Sequence, residues 1–305
     1  MTEAGRHYRY RWLRGSRGKL RLVETPKSRL KAIQRQIDRE ILKLIPAHPA
    51  AHGFVPRRSV VTYLEPHQGQ RVVLHFDLAN FFATLRRPRV EHLFGCVGYP
   101  SRVASLLAGL CTNCVPAATI DAARLDLSLT QLTEWRSLLG SPHLPRGAPT
   151  SPALANLCAY RLDGRLSGLA RAAGLQYTRY ADDLVFSGGD KLRRRQSPFR
   201  IRVLSILRDE GFTLRTRKTR LMPGSGRQLV AGLVVNRRVN VPQEEYDRLR
   251  ALLHNCARCG PASQNRDGVP DFRTHLLGRI GYVAMTNPGR GERLQRLFAA
   301  ISWPG

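Results

Sequence analysis

Two carboxylates stand side by side in Tyr180-Ala181-Asp182-Asp183, and strand-type residues flank them, with Tyr177 before and Leu184-Val185-Phe186 after. Adjacent carboxylates repel, so a folded chain keeps them together at a cost unless a cation lies between them. As isolated turn acids they would mean little; the strand context on both sides argues against a solvated loop. A third acid, Asp77, closes a run in which Val72, Leu74 and Phe76 alternate with Val73, His75 and Asp77. That period is a strand delivering its last residue at one end. Carboxylates on neighbouring strand ends suit two Mg2+ ions, which take oxygen ligands and leave the rest of their shell to water and phosphate. Such a pair stabilises both the attacking and the leaving oxygen in phosphoryl transfer.

The elements that position these acids are legible in outline. Residues 9–24 read as two short strands around a turn at Gly15-Ser16-Arg17-Gly18, carrying Arg9, Arg11, Arg14, Lys19 and Arg21. Thr25-Pro26 suits a helix start, and Leu30, Ile33, Ile37, Ile41 and Leu44 then recur at helical spacing toward a core. Lys31, Arg35, Arg39 and Lys43 form a separate stripe of four unopposed charges, either a solvated face or a track for phosphates. Residues 100–140 look mainly helical, and Ser141-Pro142-His143 breaks the chain before a loop rich in glycine and proline. A helix over 152–173 leads to strands at 175–181 and 184–187, a hairpin with the acids at its tip. A helix at 201–210 and strands at 213–216 and 228–235 follow. From Pro242 the chain is helical, with Tyr246, Leu249, Leu252 and Leu253 on one face. The pattern is an α+β catalytic body with a helical appendage.

Composition narrows the partners. The chain has 305 residues, 42% of them hydrophobic, enough for a substantial core. Fifty Lys and Arg against twenty-two Asp and Glu leave a formal net charge of +28. Nucleic acid is the obvious counter-charge, since each neutralised phosphate releases counterions. Anionic membrane fits less well, because the basic residues run through the whole chain instead of flanking an apolar segment. No apolar run approaches the roughly 20 residues a bilayer span needs. The basic N-terminus lacks the apolar stretch of a signal peptide, so a cytoplasmic protein is expected. Cys111-Thr-Asn-Cys114 and Cys256-Ala-Arg-Cys259 have ligand-like spacing, but they lie too far apart for the usual zinc pairing. Free thiols are expected instead.

Several blocks, in order, resemble the reverse transcriptases, and specifically the bacterial group that includes the retron reverse transcriptases. His52-Gly53-Phe54-Val55 with Arg58-Ser59 is similar to that group's fingers block. Phe76-Asp77-Leu78-Ala79-Asn80-Phe81-Phe82 and Leu144-Pro145-Arg146-Gly147-Ala148-Pro149-Thr150-Ser151-Pro152 resemble the first two palm motifs, and the Tyr180–Asp183 box resembles the third. Gly211-Phe212 with Lys218-Thr219, then residues 228–236, resemble the later palm blocks. The resemblance runs over residues 19–300.

The resemblance implies a right-hand polymerase with fingers and palm over residues 1–238 and a mainly helical thumb over 239–305. It implies two Mg2+ ions on Asp77 and Asp182, with Asp183 in support, and Lys218 acting on the leaving pyrophosphate. Phe82 becomes the gate beneath the sugar, although by itself it reads as a core aromatic. Gly147 would let backbone approach the template–nucleotide pair, and Arg21 would grip the triphosphate, ahead of Arg11 and Arg14. Arg146 stands where the family usually has Gln and would contact the nucleotide. Arg248, Arg250, Arg258, Arg273 and Arg279 on the thumb would meet phosphates. The implied partners are an RNA template, deoxynucleoside triphosphates and the RNA–DNA hybrid product. A retron type would add a cognate structured non-coding RNA that primes from a 2′-hydroxyl, an effector protein and a role in anti-phage defence. Two motifs depart from the retron pattern: Tyr63-Leu64-Glu65-Pro66-His67 keeps only the histidine of Asn-Ala-x-x-His, and Val230-Ala231-Gly232 replaces Val-Thr-Gly. A reverse transcriptase of another bacterial lineage is therefore one alternative. A catalytically lapsed RNA-binding scaffold within a defence complex is another, opposed by the three intact acids.

Overall fold

The computed structural model describes residues 6–14, 20–123 and 128–303. The expected turn at Gly15-Ser16-Arg17-Gly18, and Lys19, lie outside the described residues. In chain order, β1 (Tyr8–Arg14) and β2 (Leu20–Pro26) form an antiparallel ribbon, followed by α1 (Ser28–Glu40), α2 (Val60–Leu64) and β3 (Val72–Asp77). Then come α3 (Phe81–Thr84), α4 (Arg87–Cys96), α5 (Ser101–Cys111), α6 (Ala117–Asp121), α7 (Leu129–Leu139), α8 (Ser151–Cys158) and α9 (Tyr160–Ala172). The hairpin β4 (Gln176–Tyr180) and β5 (Asp183–Gly188) precedes α10 (Asp190–Arg194), α11 (Gln196–Asp209) and β6 (Arg220–Pro223). A small ribbon, β7 (Leu229–Val230) and β8 (Leu233–Val234), leads into α12 (Gln243–Cys259), α13 (Pro261–Gln264), α14 (Phe272–Thr286) and α15 (Pro288–Ala299). This is the α+β right-hand arrangement expected from the sequence, ending in a helical region. Among the described residues, no helix is long and apolar enough to cross a membrane.

The palm sheet runs β4-β5-β3-β6, every neighbouring pair antiparallel. Its central strand β3 is covered on both faces, which is why it reads as a nearly continuous apolar run. Leu74 and Phe76 join a core with Leu154, Leu162, Val203 and Leu207 from α8, α9 and α11. Val73 faces the other way, into a core with Val185, Met222, Tyr246, Leu249, Leu253 and Ile280. Each fully buried Phe or Leu contributes about 1.5–3 kcal/mol. The second core passes without a break from palm strands to thumb helices, so residues on both sides of position 238 share one apolar interior.

Several local expectations are corrected. Thr25 and Pro26 end β2; α1 begins at Ser28 behind Lys27, which offers no side-chain cap. Ile33 and Leu44 are exposed, and Gln34 is buried in their stead, donating from Nε2 to the Tyr8 hydroxyl and to the Leu110 carbonyl. The helix expected over 152–173 is two helices, broken at Ala159 (φ −89°, ψ 4°). Residues 213–216 make only an isolated bridge, Leu214 to Leu78, and the strand in that region is β6. The expected strand at 228–235 is a tight hairpin whose central Ala231 and Gly232 both have positive φ, the turn that matches strand twist.

Candidate active site

Strand register brings the acids together. Asp77 pairs opposite Asp183 at the ends of β3 and β5, and Tyr180 opposite Asp183 closes the β4–β5 hairpin over Ala181 and Asp182. Ala181 has φ +53°, a left-handed conformation unusual for a residue with a Cβ. The fingers loop holds it in place. A Cβ on Gly53 would lie 2.9 Å from the Ala181 nitrogen and 3.2 Å from Tyr180 Cδ1, so only glycine lets that loop approach the hairpin. The Leu78 N–H donates to the Asp182 carbonyl at 2.8 Å, tying the tip to the end of β3.

The three carboxylates have different surroundings. Asp77 is buried, with Lys218 Nζ 2.5 Å from Oδ2 and Arg215 Nη1 3.2 Å from Oδ1. Asp183 Oδ1 lies 2.8 Å from His75 Nε2. Burial holds the Asp182 carboxyl above the usual carboxylate range, and the charges of Asp183 and Asp77 push it the same way. Because these side chains turn to different partners, no group of three or more His, Cys, Asp or Glu is gathered into a shell among the described residues. The donor chemistry nevertheless fits a hard divalent ion. Asp77 and Asp182 offer oxygen only, and among the described residues no cation lies within ion-pair distance of Asp182.

Behind the hairpin lies a network that the motifs do not show. Arg179 is fully buried and makes a bidentate pair with Asp163, Nε to Oδ1 at 2.8 Å and Nη2 to Oδ2 at 2.6 Å. Its Nη1 donates to Asn156 Oδ1 and to the Ala181 carbonyl, both at 3.1 Å. Asn156 in turn donates to the Gly53 carbonyl at 2.7 Å, and the Tyr177 hydroxyl donates to Asp163 at 2.8 Å. Helices α8 and α9 thereby set both sides of the Gly53–Ala181 contact. Arg179, Asp163, Asn156, Arg215 and His75 escape sequence reasoning. The one available signal is that Arg179 shares a strand face with Tyr177, two residues away on the inward side. His67, the histidine kept from the altered motif, is a buried staple: Nδ1 lies 2.6 Å from Ser187 Oγ and Nε2 2.8 Å from Thr178 Oγ1. Burial drives its pKa down to about 3, so it sits neutral between β4 and β5.

A cleft of about 830 Å³ opens beside the acids. Asp77, Asp182, Asp183 and Lys218 line it together with Arg21, Lys31, Arg35, Phe82, Arg146 and Gly147. Phe82 is half-buried there, its ring centroid 6.2 Å from that of Phe54. Burial lowers the Arg146 pKa, Arg21 and Arg215 add to the effect, and Asp182 opposes it. Gly147 has φ +121°, and a Cβ there would meet the Glu24 carbonyl at 3.0 Å. The close approach its glycine permits within the chain is thus to β2, which the Glu24 N–H reinforces by donating to the Arg146 carbonyl at 2.8 Å.

Other expected residues lie elsewhere. The stripe along α1 and the turn that follows it (Leu42–Leu44) is not four unopposed charges: Arg39 pairs with Glu40 at 2.8 Å, and Lys43 with Asp38 at 3.4 Å. Arg248 and Arg250 face solvent, paired with Glu245 and Asp247 at 3.5 and 3.6 Å. Arg279 borders a separate groove of about 960 Å³ between β7–β8 and the helices α12 and α14. All six cysteines are free, Cys111 and Cys256 buried and their CxxC partners less so.

Comparison with known proteins identifies the family. A family model described as reverse transcriptase (RNA-dependent DNA polymerase) matches residues 13–245. The retron Mx65 reverse transcriptase of Myxococcus xanthus is 42% identical over 281 residues, covering 92% of this chain and 61% of that protein. The retron Mx162 reverse transcriptase of the same organism is 36% identical over 289 residues, 90% of this chain and 57% of that one. The retron Ec86 reverse transcriptase of Escherichia coli is 31% identical over 282 residues, 92% and 76% of the two chains. The chain therefore spans less than two thirds of the length of the two Myxococcus relatives. It belongs to the reverse transcriptase family, in the bacterial group of retron reverse transcriptases.

Proposed function

We propose that this chain is an RNA-directed DNA polymerase that extends a primer with deoxynucleoside triphosphates in a Mg2+-dependent reaction. The observation that carries the reading is Asp77 opposite Asp183 in register, with Asp182 at the intervening tip, on the wall of the cleft. Asp77 and Asp182 would hold two Mg2+ ions, with Asp183 in support and anchored by His75. When bound, the ions activate the primer hydroxyl and neutralise charge on the departing pyrophosphate.

The chain's own groups do the rest. Lys218, half-exposed against a buried carboxylate, balances Asp77 and supplies positive charge or a proton to the leaving group. Arg21 and Arg146 present guanidinium groups to the triphosphate, a geometry suited to bidentate phosphate contact. Phe82 forms the floor beneath the sugar and excludes a 2′-hydroxyl. Lys31 and Arg35 carry the positive lining outward along the template path.

The retron relatives support a finer reading. The template is a cognate folded non-coding RNA, primed from its own 2′-hydroxyl, and the product is an RNA–DNA hybrid. Such a protein works with an effector protein in anti-phage defence, which growth under phage challenge with and without the gene would test. The polymerase itself is tested by dNTP incorporation on a primed RNA template. Asp182→Asn and Asp183→Asn are expected to abolish extension while RNA binding stays within about twofold. Full extension by either variant removes that acid from the metal site.

A further inference from the structure

The palm sheet has a second charged end. Strand β5 leaves the acids at Asp183 and reaches Gly188 five residues on, about 17 Å away. There, α10, Arg195 between the two helices, and the first half of α11 carry Lys191, Arg193, Arg194, Arg195, Arg200 and Arg202 within twelve residues, and Arg71 joins them from beside β3. The acid amid this group, Asp190, is already taken: Arg71 Nη1 lies 2.6 Å from its Oδ2. Arg71 holds its carboxyl below the ordinary range, with Arg193 and Arg194 adding to the effect.

The other end of α11 shows what this chain does when it neutralises arginines. Asp209 and Glu210 there meet Arg89, Arg161 and Arg165 at 2.7–3.7 Å. Among the described residues, no carboxylate comes within 4 Å of Lys191, Arg195 or Arg202. Like charges packed this closely repel one another, so this arrangement works against local stability. Buried Leu192 and Phe199 fix both helices to the core, Phe199 packing 5.1 Å from the Phe186 ring, so the charges stand on a firm base. None of them lines the catalytic cleft.

We infer that the face bearing Arg71, Lys191, Arg193, Arg194, Arg195 and Arg202 is a second nucleic-acid surface, which grips the phosphates of a double-helical RNA segment. Charge complementarity selects the polyanion. The one aromatic residue in this stretch, Phe199, is buried, so the face has no ring on which unpaired bases would stack, and backbone contact to a duplex is what remains. The inference rests on the polymerase reading for RNA as the polyanion. In that reading, a folded part of the RNA is anchored here while its template part enters the cleft.

The test uses the full chain and the variant Arg193→Gln/Arg194→Gln/Arg195→Gln/Arg202→Gln. One probe is a hairpin RNA with a stem of about 16 base pairs. Its binding is measured against salt in the presence of excess short primed template, which fills the cleft. At about 0.15 M salt the variant is expected to bind the hairpin at least tenfold more weakly. The slope of log affinity against log salt should fall by about 3 to 4. Extension of the short primed template should not change, which also reports a folded variant. Replacing the same four arginines by lysine should restore hairpin binding. Unchanged hairpin affinity and slope in the Gln variant overturn the proposal, as does failure of the lysine variant to restore binding. Capture of the native chain, and not the Gln variant, by phosphatidylserine-containing vesicles with hairpin binding unaltered would reassign the face to membrane. If the native chain fails to extend the primed template while the hairpin results stand, the polymerase reading falls and this surface remains.

Discussion

Charge is handled in opposite ways in the palm and in the thumb. In the palm, Arg179 and Asp163 are fully buried, joined by two short bonds and braced by Tyr177 and Asn156. In the thumb, Arg248 and Arg250 reach Glu245 and Asp247 across one helical turn in open solvent, at the limit of ion-pair distance. Buried charges have lost their water and depend on each other; exposed ones lose little when separated. The palm therefore holds its acidic hairpin in one geometry. The C-terminal helices keep charges that can change partners without first breaking a strong bond.

Removing one palm partner should break this comparison most severely. Arg179→Leu leaves Asp163 buried and unpaired and is expected to cost about 3–5 kcal/mol in denaturant unfolding. Asp163→Leu combined with Arg179→Leu should recover a large part of that, and a double variant as unstable as the single one would deny that charge is the cause. His67 comes next. Its folded pKa of about 3 lies below the ordinary value near 6.5, so its share of stability is complete above that range and is lost as pH falls toward 3. Between pH 7 and pH 4.5 that share amounts to about 2.5 kcal/mol. In His67→Gln the stability gap between these two pH values should shrink by that amount, and an unchanged gap would show that His67 titrates normally.

A smaller effect tests how tightly the fingers seat the acids. Gly53→Ala places a methyl against the Ala181 nitrogen and should cost about 1–2 kcal/mol of stability. Its mark should be a fall in kcat greater than any rise in KM for the primed template; proportionate losses in both would make Gly53 a matter of folding alone. Smallest is Arg250→Gln, expected to change stability by less than about 0.5 kcal/mol. A larger loss in thermal unfolding would place that thumb pair with the palm's.

The same contrast explains what the sequence discloses. The acidic hairpin and β3 are legible because apolar alternation runs up to the acids on both strands, and the sheet uses that alternation directly. Arg179 is not legible, because an arginine in a strand reads as outward-facing and its partner Asp163 is a helix residue with nothing nearby to mark it. Ile33 and Gln34 exchange roles because Tyr8 and the Leu110 carbonyl supply a buried amide with partners that helical spacing cannot reveal. Strand β6 is four residues ending in proline, too short for alternation to register. The break at Ala159 carries no glycine or proline signal. In the cleft, family motifs locate Lys218, but Arg215 reaches Asp77 through a crossing of the chain, Leu214 beside Leu78, that appears only in three dimensions.

The loop before Gly53 does more than sit near the hairpin. The Arg179 N–H donates to the Ala50 carbonyl and the His52 N–H to the Arg179 carbonyl, both at 2.7 Å, with Ala51 bridged in parallel to Arg179. The fingers are thereby stitched to the open margin of the palm sheet, which conceals an edge that would otherwise invite another chain to add itself. The same stitches make a short lever. A displacement of residues 50–52 would reach the backbone only three residues from Asp182, so the position of that loop and the alignment of the acids share one mechanical link.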